Sequence, residues 1–110
     1  MANSPDRILG QLAGTATALL TVPSGQKYIL NGGTVTNANG TDVSDIEFYI
    51  YPSGGSASNA TARIPEFSLV DGQFKYLNLR DHLKAGDVLA AKAGTASAVN
   101  YHIPFTVIAG

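Results

Sequence analysis

Turn-forming residues punctuate this chain at short, fairly regular intervals: Pro23-Ser24-Gly25, Asn39-Gly40, Pro52-Ser53-Gly54-Gly55, Asp71-Gly72, Ala85-Gly86-Asp87 and Ala93-Gly94. That rhythm is the signature of an all-β sandwich or barrel. Seven strands are expected between the marks, over residues 15–22, 27–37, 45–51, 62–70, 73–79, 87–92 and 97–108. No repeat of the blade or solenoid kind interrupts the series. The one low-complexity piece, "PSGGSASNATA", has the composition of a flexible loop.

Alternation within the strands sorts side chains by face. In the last strand Val99, Tyr101, Ile103, Phe105 and Val107 share one parity and are expected in the core, while Asn100, His102 and Thr106 share the other. Pro104 has no N–H for a ladder, so this strand is expected at a sheet edge or with a bulge. Ile46, Phe48 and Ile50 form a second inward set, which turns Glu47, Tyr49 and Tyr51 outward. Gly32-Gly33 interrupts the long strand 27–37 and reads as a bulge or sharp bend, since no phosphate-loop spacing follows it.

Composition narrows the function. The chain has 110 residues, enough for one core, and 7 basic against 8 acidic side chains give a net charge of -1 with no block of either sign. Neither a nucleic-acid partner nor a polybasic membrane contact is expected from that balance. Charged residues are only 14% of the chain against 45% hydrophobic, a lean cover for a free monomer, so association with further copies is expected. The absence of cysteine excludes disulfides, thiolate metal sites and a Cys nucleophile. The first residues lack the apolar centre of a secretion signal, so synthesis in a cytoplasm is expected.

Candidate chemistry is sparse. Asp81-His82 with Ser68 or Ser97 supplies the residue types of a hydrolase triad, but there is no GxSxG elbow and solvated turn residues explain the pair. His82 and His102 are the two histidines and have no metal-ligand spacing. "NANGTDVSD" is rich in oxygen donors yet lacks the calcium-loop spacing, and a hairpin turn at Asn39-Gly40 accounts for it. No catalytic residue, metal or cofactor is therefore expected.

Residues 1–14 carry Ile8, Leu9 and Leu12 at a helix-like spacing, but two glycines and the short length make a helix marginal. An N-terminal arm is expected there, docking on its own sheet or a neighbour's, ahead of a single sandwich over 15–110. "LRDHLKAG" is either a helical turn or a tight connection between strands. Ile8, Leu9 and Leu12, with the outward Tyr49 and Tyr51, are the expected interface residues, because tyrosine gives contact area at low entropic cost.

The stretches "LTVPSGQKYILNGGTVTNANGTDVSDIEFYIYPSGG" and "LRDHLKAGDVLAAKAGTASAVNYHIPFTVIAG" resemble a class of small virion proteins of tailed bacteriophages. The matching pieces are Val22-Pro23-Ser24-Gly25, the strand end at residues 34–37, the central strand 46–51 with its Gly-rich loop, and Leu83-Lys84-Ala85-Gly86-Asp87. The resemblance implies an antiparallel, jelly-roll-like β-sandwich with no catalytic residues, present in many copies on a virion assembled in the host cytoplasm. A head decoration or cement protein on the major capsid protein is the role it favours, as a homo-oligomer such as a trimer or hexamer. The alternatives are a tail or fibre-associated protein, and a carbohydrate-binding or adhesin module with Tyr49 and Tyr51 as its platform.

Overall fold

The computed structural model describes residues 4–109. The elements in chain order are β1 (Ser4–Gln11), β2 (Thr17–Thr21), β3 (Gln26–Leu30), β4 (Thr34–Asn37), β5 (Val43–Tyr51), a 3-10 turn (Asn59–Thr61), β6 (Ala62–Leu69), β7 (Phe74–Tyr76), β8 (His82–Lys84), β9 (Val88–Lys92) and β10 (Val99–Ala109). β3 and β4 lie in line along one side of β10, and β7 and β8 lie in line beyond them. Counting each in-line pair as one strand gives two antiparallel sheets of four, ordered β1, β10, β3/β4, β7/β8 and β2, β9, β5, β6. The chain changes sheet at every connection except β5 to β6. That order is the eight-stranded jelly roll.

The expected strand 27–37 is therefore one strand interrupted at Gly32-Gly33. Three residues, Asn31 to Gly33, face two on β10, so the pairing register shifts by one. Gly32 and Gly33 have φ of 84 and 149, and a Cβ on Gly33 would stand 3.0 Å from the His102 carbonyl oxygen. Only glycine fits such a bulge comfortably. β10 is an interior strand, not an edge, and the extra residue sits on the facing strand. The Pro104 carbonyl accepts from the Asn31 N–H at 3.0 Å. Its missing N–H lies on that same side of the strand, toward the bulge, where the ladder is already broken.

Of the arm expected over 1–14, residues 1–3 lie outside the described residues. Residues 4–11 are β1, antiparallel to β10 along its whole length, so the segment lies on its own sheet, as a strand and not a helix. Ile8 packs against the core, Leu12 is 1% exposed within it, and Leu9 points out. Gly10 stands where a side chain would strike Tyr101, whose hydroxyl oxygen is 2.8 Å and nearest ring carbon 3.0 Å from its Cβ position. "LRDHLKAG" contains strand β8 followed by a turn closed by the Asp87 N–H to the Lys84 carbonyl, not a helical turn. The Gly/Ser loop carries a 3-10 turn with a capping box between Ser58 and Thr61.

The two sheets meet over Leu30, Val35, Ile46, Phe48, Leu79, Leu89, Val99 and Ile103, all fully buried. The inward sets expected for the central and last strands are both in this cluster or packed on it. Burying each such side chain contributes about 1.5–3 kcal/mol.

Candidate functional site

Asn39-Gly40 does not close a hairpin. It links β4 in one sheet to β5 in the other, and the oxygen-rich loop is organised around Asn37, whose side chain is fully buried. Its Nδ2 donates to the carbonyls of Leu69 and Thr41 at 2.9 Å each, and its Oδ1 accepts from the Asn39 N–H at 3.0 Å. Asp71 and Asp42 are likewise occupied by backbone, accepting from the N–H groups of Gly40 and Asp71. Of the oxygen donors in this stretch, the Asn37 amide and the Asp42 carboxylate are turned to N–H donors of the chain itself.

The outer face of the second sheet holds Glu47, Tyr49 and Tyr51, as alternation predicts, but two of the three are not exposed. Tyr49 is 5% and Glu47 7% exposed. Across the sheet the row through Tyr49 reads Ala18, Ala90, Tyr49, Ala62, so the positions on either side of it carry only methyl groups. Its hydroxyl donates to Glu47 Oε1 at 2.7 Å. Lys92 stands 4.0 Å from that carboxylate and 3.6 Å from Glu66. Burial first, then the bond to Glu47 and the negative charge of Glu47 and Glu66, pushes the Tyr49 phenol up to about 12. Tyr51, half-buried, retains surface.

The outer face of the first sheet is different. Phe74 and Tyr76 on the outer strand β7 are 57% and 74% exposed, packed edge to face with ring centres 5.3 Å apart. Leu9, also 57% exposed, ends the row that runs Leu9, His102, Thr34, Tyr76 across the sheet. Behind Tyr76 the chain continues as residues 77–81, with Leu77 and Leu79 in the core and Asn78 and Arg80 turned out beside Tyr76. This segment is tied to the glycine bulge by Leu77 N–H to the Gly33 carbonyl and Gly32 N–H to the Leu79 carbonyl. From the other sheet Arg63 grips it with both Asp81 oxygens at 3.0 Å and the Asn78 carbonyl at 3.2 Å. Between the bulge and this segment lies an open groove of about 460 Å³, lined by Asn31, Thr34, Tyr76, Asn78, Arg80 and His102 among others.

The hydrolase residues are not assembled. Asp81 is spent on Arg63, and His82, the next residue along extended chain, points to the opposite side. Ser68 is on β6 of the other sheet. His82 and His102 sit on separate strands, in rows of the first sheet four residues apart, about 13 Å along the strand direction. Among the described residues no cluster of three or more metal-ligating side chains occurs.

The groove residues escaped the sequence reading although one signal marks them. In "FKYLNLR", the parity that sends Leu77 and Leu79 inward sends Phe74, Tyr76, Asn78 and Arg80 outward together.

No family model matches the chain, and no curated protein matches it. Among solved structures, a chain from the disulfide-linked pili formed by Bacillus endospore appendages is similar with a TM-score of 0.55 at 20% identity, over 96% of this chain and 84% of that one. A chain from the acidic stable capsid structure of Helicobacter pylori bacteriophage KHP30 is similar with a TM-score of 0.53 at 9% identity, over 97% of this chain and 87% of that one. At these identities the likeness is one of fold, the jelly-roll sandwich derived above.

Proposed function

We propose that the chain is a non-enzymatic structural subunit of a phage virion, present in many copies as a head decoration protein on the major capsid protein. The observation that carries this reading is that a sandwich shared with a phage capsid chain takes up 97% of this one. What remains to meet the outside is sheet faces, strand edges and short loops, the equipment of a subunit that works by being packed. The lean charge supports the same reading, because symmetry-related copies cover surface that 14% charged residues leave bare. With no cysteine, copies are not joined by disulfides, unlike the disulfide-linked pili.

Of the residues expected at an interface, Leu9 and Tyr51 have side-chain surface to give, while Ile8, Leu12 and Tyr49 are taken up inside the chain. We place the subunit contact on the β1 side of the first sheet and on the outer face of the second, around Tyr51. The test is the mass of the purified chain in solution together with the reading frames flanking its gene. A trimer or hexamer beside capsid genes, dissociated by Leu9→Ser with Tyr51→Ser while the fold persists, is the expected result. A monomer at high concentration, flanked by genes unrelated to capsids or tails, would end this reading.

A further inference from the structure

We propose that the groove behind Tyr76 binds an acidic saccharide, with the Tyr76 ring as stacking platform and Arg80 as the carboxylate reader. Four features of the site point to this ligand class. First, Tyr76 is the most exposed large hydrophobic side chain among the described residues, and Phe74 braces it edge-on. An exposed ring held at a fixed angle has little left to lose in entropy when the apolar C–H face of a pyranose settles on it. Second, beside Leu77, Pro104 and the two glycines the lining includes the hydrogen-bonding side chains of Asn31, Thr34, Asn78 and His102, of which Asn31 already donates to Thr106 Oγ1 at 2.9 Å. Amides, a hydroxyl and an imidazole are suited to sugar hydroxyls, which both donate and accept.

The third feature is charge. The lining contains a guanidinium and an imidazole and no carboxylate. Among the described residues Arg80 enters no ion pair, although Asp81 follows it directly, because Arg63 holds that carboxylate. An uncommitted guanidinium beside an aromatic ring offers a planar, two-pronged partner for a carboxylate, as in a uronic or sialic acid. Fourth, the groove is built rather than incidental. The glycine bulge forms one side and the segment from Tyr76 to Arg80 the other, backbone bonds from Gly32 and Leu77 join the two, and the Arg63 clamp fixes the side that carries Asn78 and Arg80. A site whose walls are held from two directions is organised before a ligand arrives.

This inference does not depend on a virion role. Its test titrates the purified chain with two acidic probes, 3′-sialyllactose and tetragalacturonate, and with lactose as the neutral control, by calorimetry and by amide shifts in NMR. At least one acidic probe should bind saturably and more tightly than lactose, shifting amides of residues 31–34 and 76–80. Tyr76→Ala and Arg80→Ala should each weaken it by about tenfold or more, with Arg80→Lys intermediate because charge remains but the fork is lost. Both positions are exposed, so these variants should melt with the parent. Absence of binding by either acid at millimolar concentration would overturn the proposal. So would lactose binding equally well, or binding that ignores both substitutions. If Phe74→Ser with Tyr76→Ser instead dissociates an oligomer and no probe binds, the face is a contact between copies and the saccharide reading is wrong.

Discussion

Replacing Asn37 separates a buried amide that organises two loops from one that merely fills space. Its Nδ2 donates to the Leu69 carbonyl in a buried setting and to the Thr41 carbonyl in a part-buried one, and its Oδ1 accepts from the Asn39 N–H, also part-buried. In Asn37→Ala the Leu69 carbonyl loses a partner that water reaches poorly, at about 1–3 kcal/mol, while the other two groups recover part of their loss from solvent, for a total of about 2–4 kcal/mol. Asn37→Asp is nearly isosteric and should nevertheless be worse. A carboxylate has no donor, so both carbonyl oxygens would face an acceptor at about the same distance, and a charge would be buried without a cation.

Urea denaturation followed by circular dichroism is the measurement. With a slope of about 2 kcal/mol per molar, the middle of the usual range, the alanine variant should lose roughly 1–2 M of midpoint, and the aspartate variant more. The gap between the two should narrow in acid, where a protonated carboxyl regains one donor. Should Asn37→Asp match or exceed Asn37→Ala at neutral pH, the two carbonyls do not depend on the Nδ2 donor, and the loop organisation described here is incorrect.

Three further outcomes follow from the same structure. Phe48 is fully buried between the sheets, so Phe48→Ala should cost about 3–5 kcal/mol, and a melting shift no larger than that of a Gly/Ser-loop variant would contradict the core assignment. Tyr49 favours its neutral phenol more in the folded chain than in the unfolded one, so its contribution is complete below its ordinary value of 10.0 and is lost as pH rises through about 12. An absorbance titration should accordingly show one of five tyrosines ionising late, and in Tyr49→Phe that share of the alkaline loss of stability should vanish. Deleting residues 1–11 strips β1 from β10 and should lower the melting temperature far more than shortening the loop between β5 and β6; equal effects would mean that β1 is not an integral strand.

The strands were legible because alternation is local. Val99, Ile103 and Phe105, or Ile46 and Phe48, declare their face within a few residues of sequence. β1 was not, since its inward positions are Ile8 and Gly10, and a glycine that makes way for the Tyr101 ring looks from the sequence like a loop residue. Pairing was harder still. Turn residues mark where a strand ends, and they do so equally at a hairpin and at a crossing between sheets. Asn39-Gly40 is a crossing, and with β3/β4 and β7/β8 each counted as one strand, only the connection from β5 to β6 stays within its sheet. The Pro104 case has the same root: a missing donor is tolerated beside a bulge on the facing strand, which only long-range register reveals.

Tyr49 and Tyr76 show why exposure could not be read from the same pattern. Both point away from the core by parity, and both sit in strands of similar composition, yet one is 5% exposed and the other 74%. The difference lies across the strands. β5 is flanked by β9 and β6, whose matching positions are Ala90 and Ala62, and Ala90 is buried although it lies outside the core cluster. With only methyl groups beside it in an interior strand, the Tyr49 side chain is almost wholly removed from solvent and its hydroxyl is bonded to Glu47. β7 pairs with β4 on one side only, and the residue opposite Tyr76 is Thr34, so across the sheet the ring has a single short neighbour and, with Phe74 against its edge along the strand, keeps most of its surface. Outward parity is thus a necessary condition for a recognition surface, and the order of strands in the sheet decides whether an outward ring becomes packing or platform. In this jelly roll that order moves the accessible aromatic surface from the central strand, where the tyrosines are densest in sequence, to the outer strand beside Arg80.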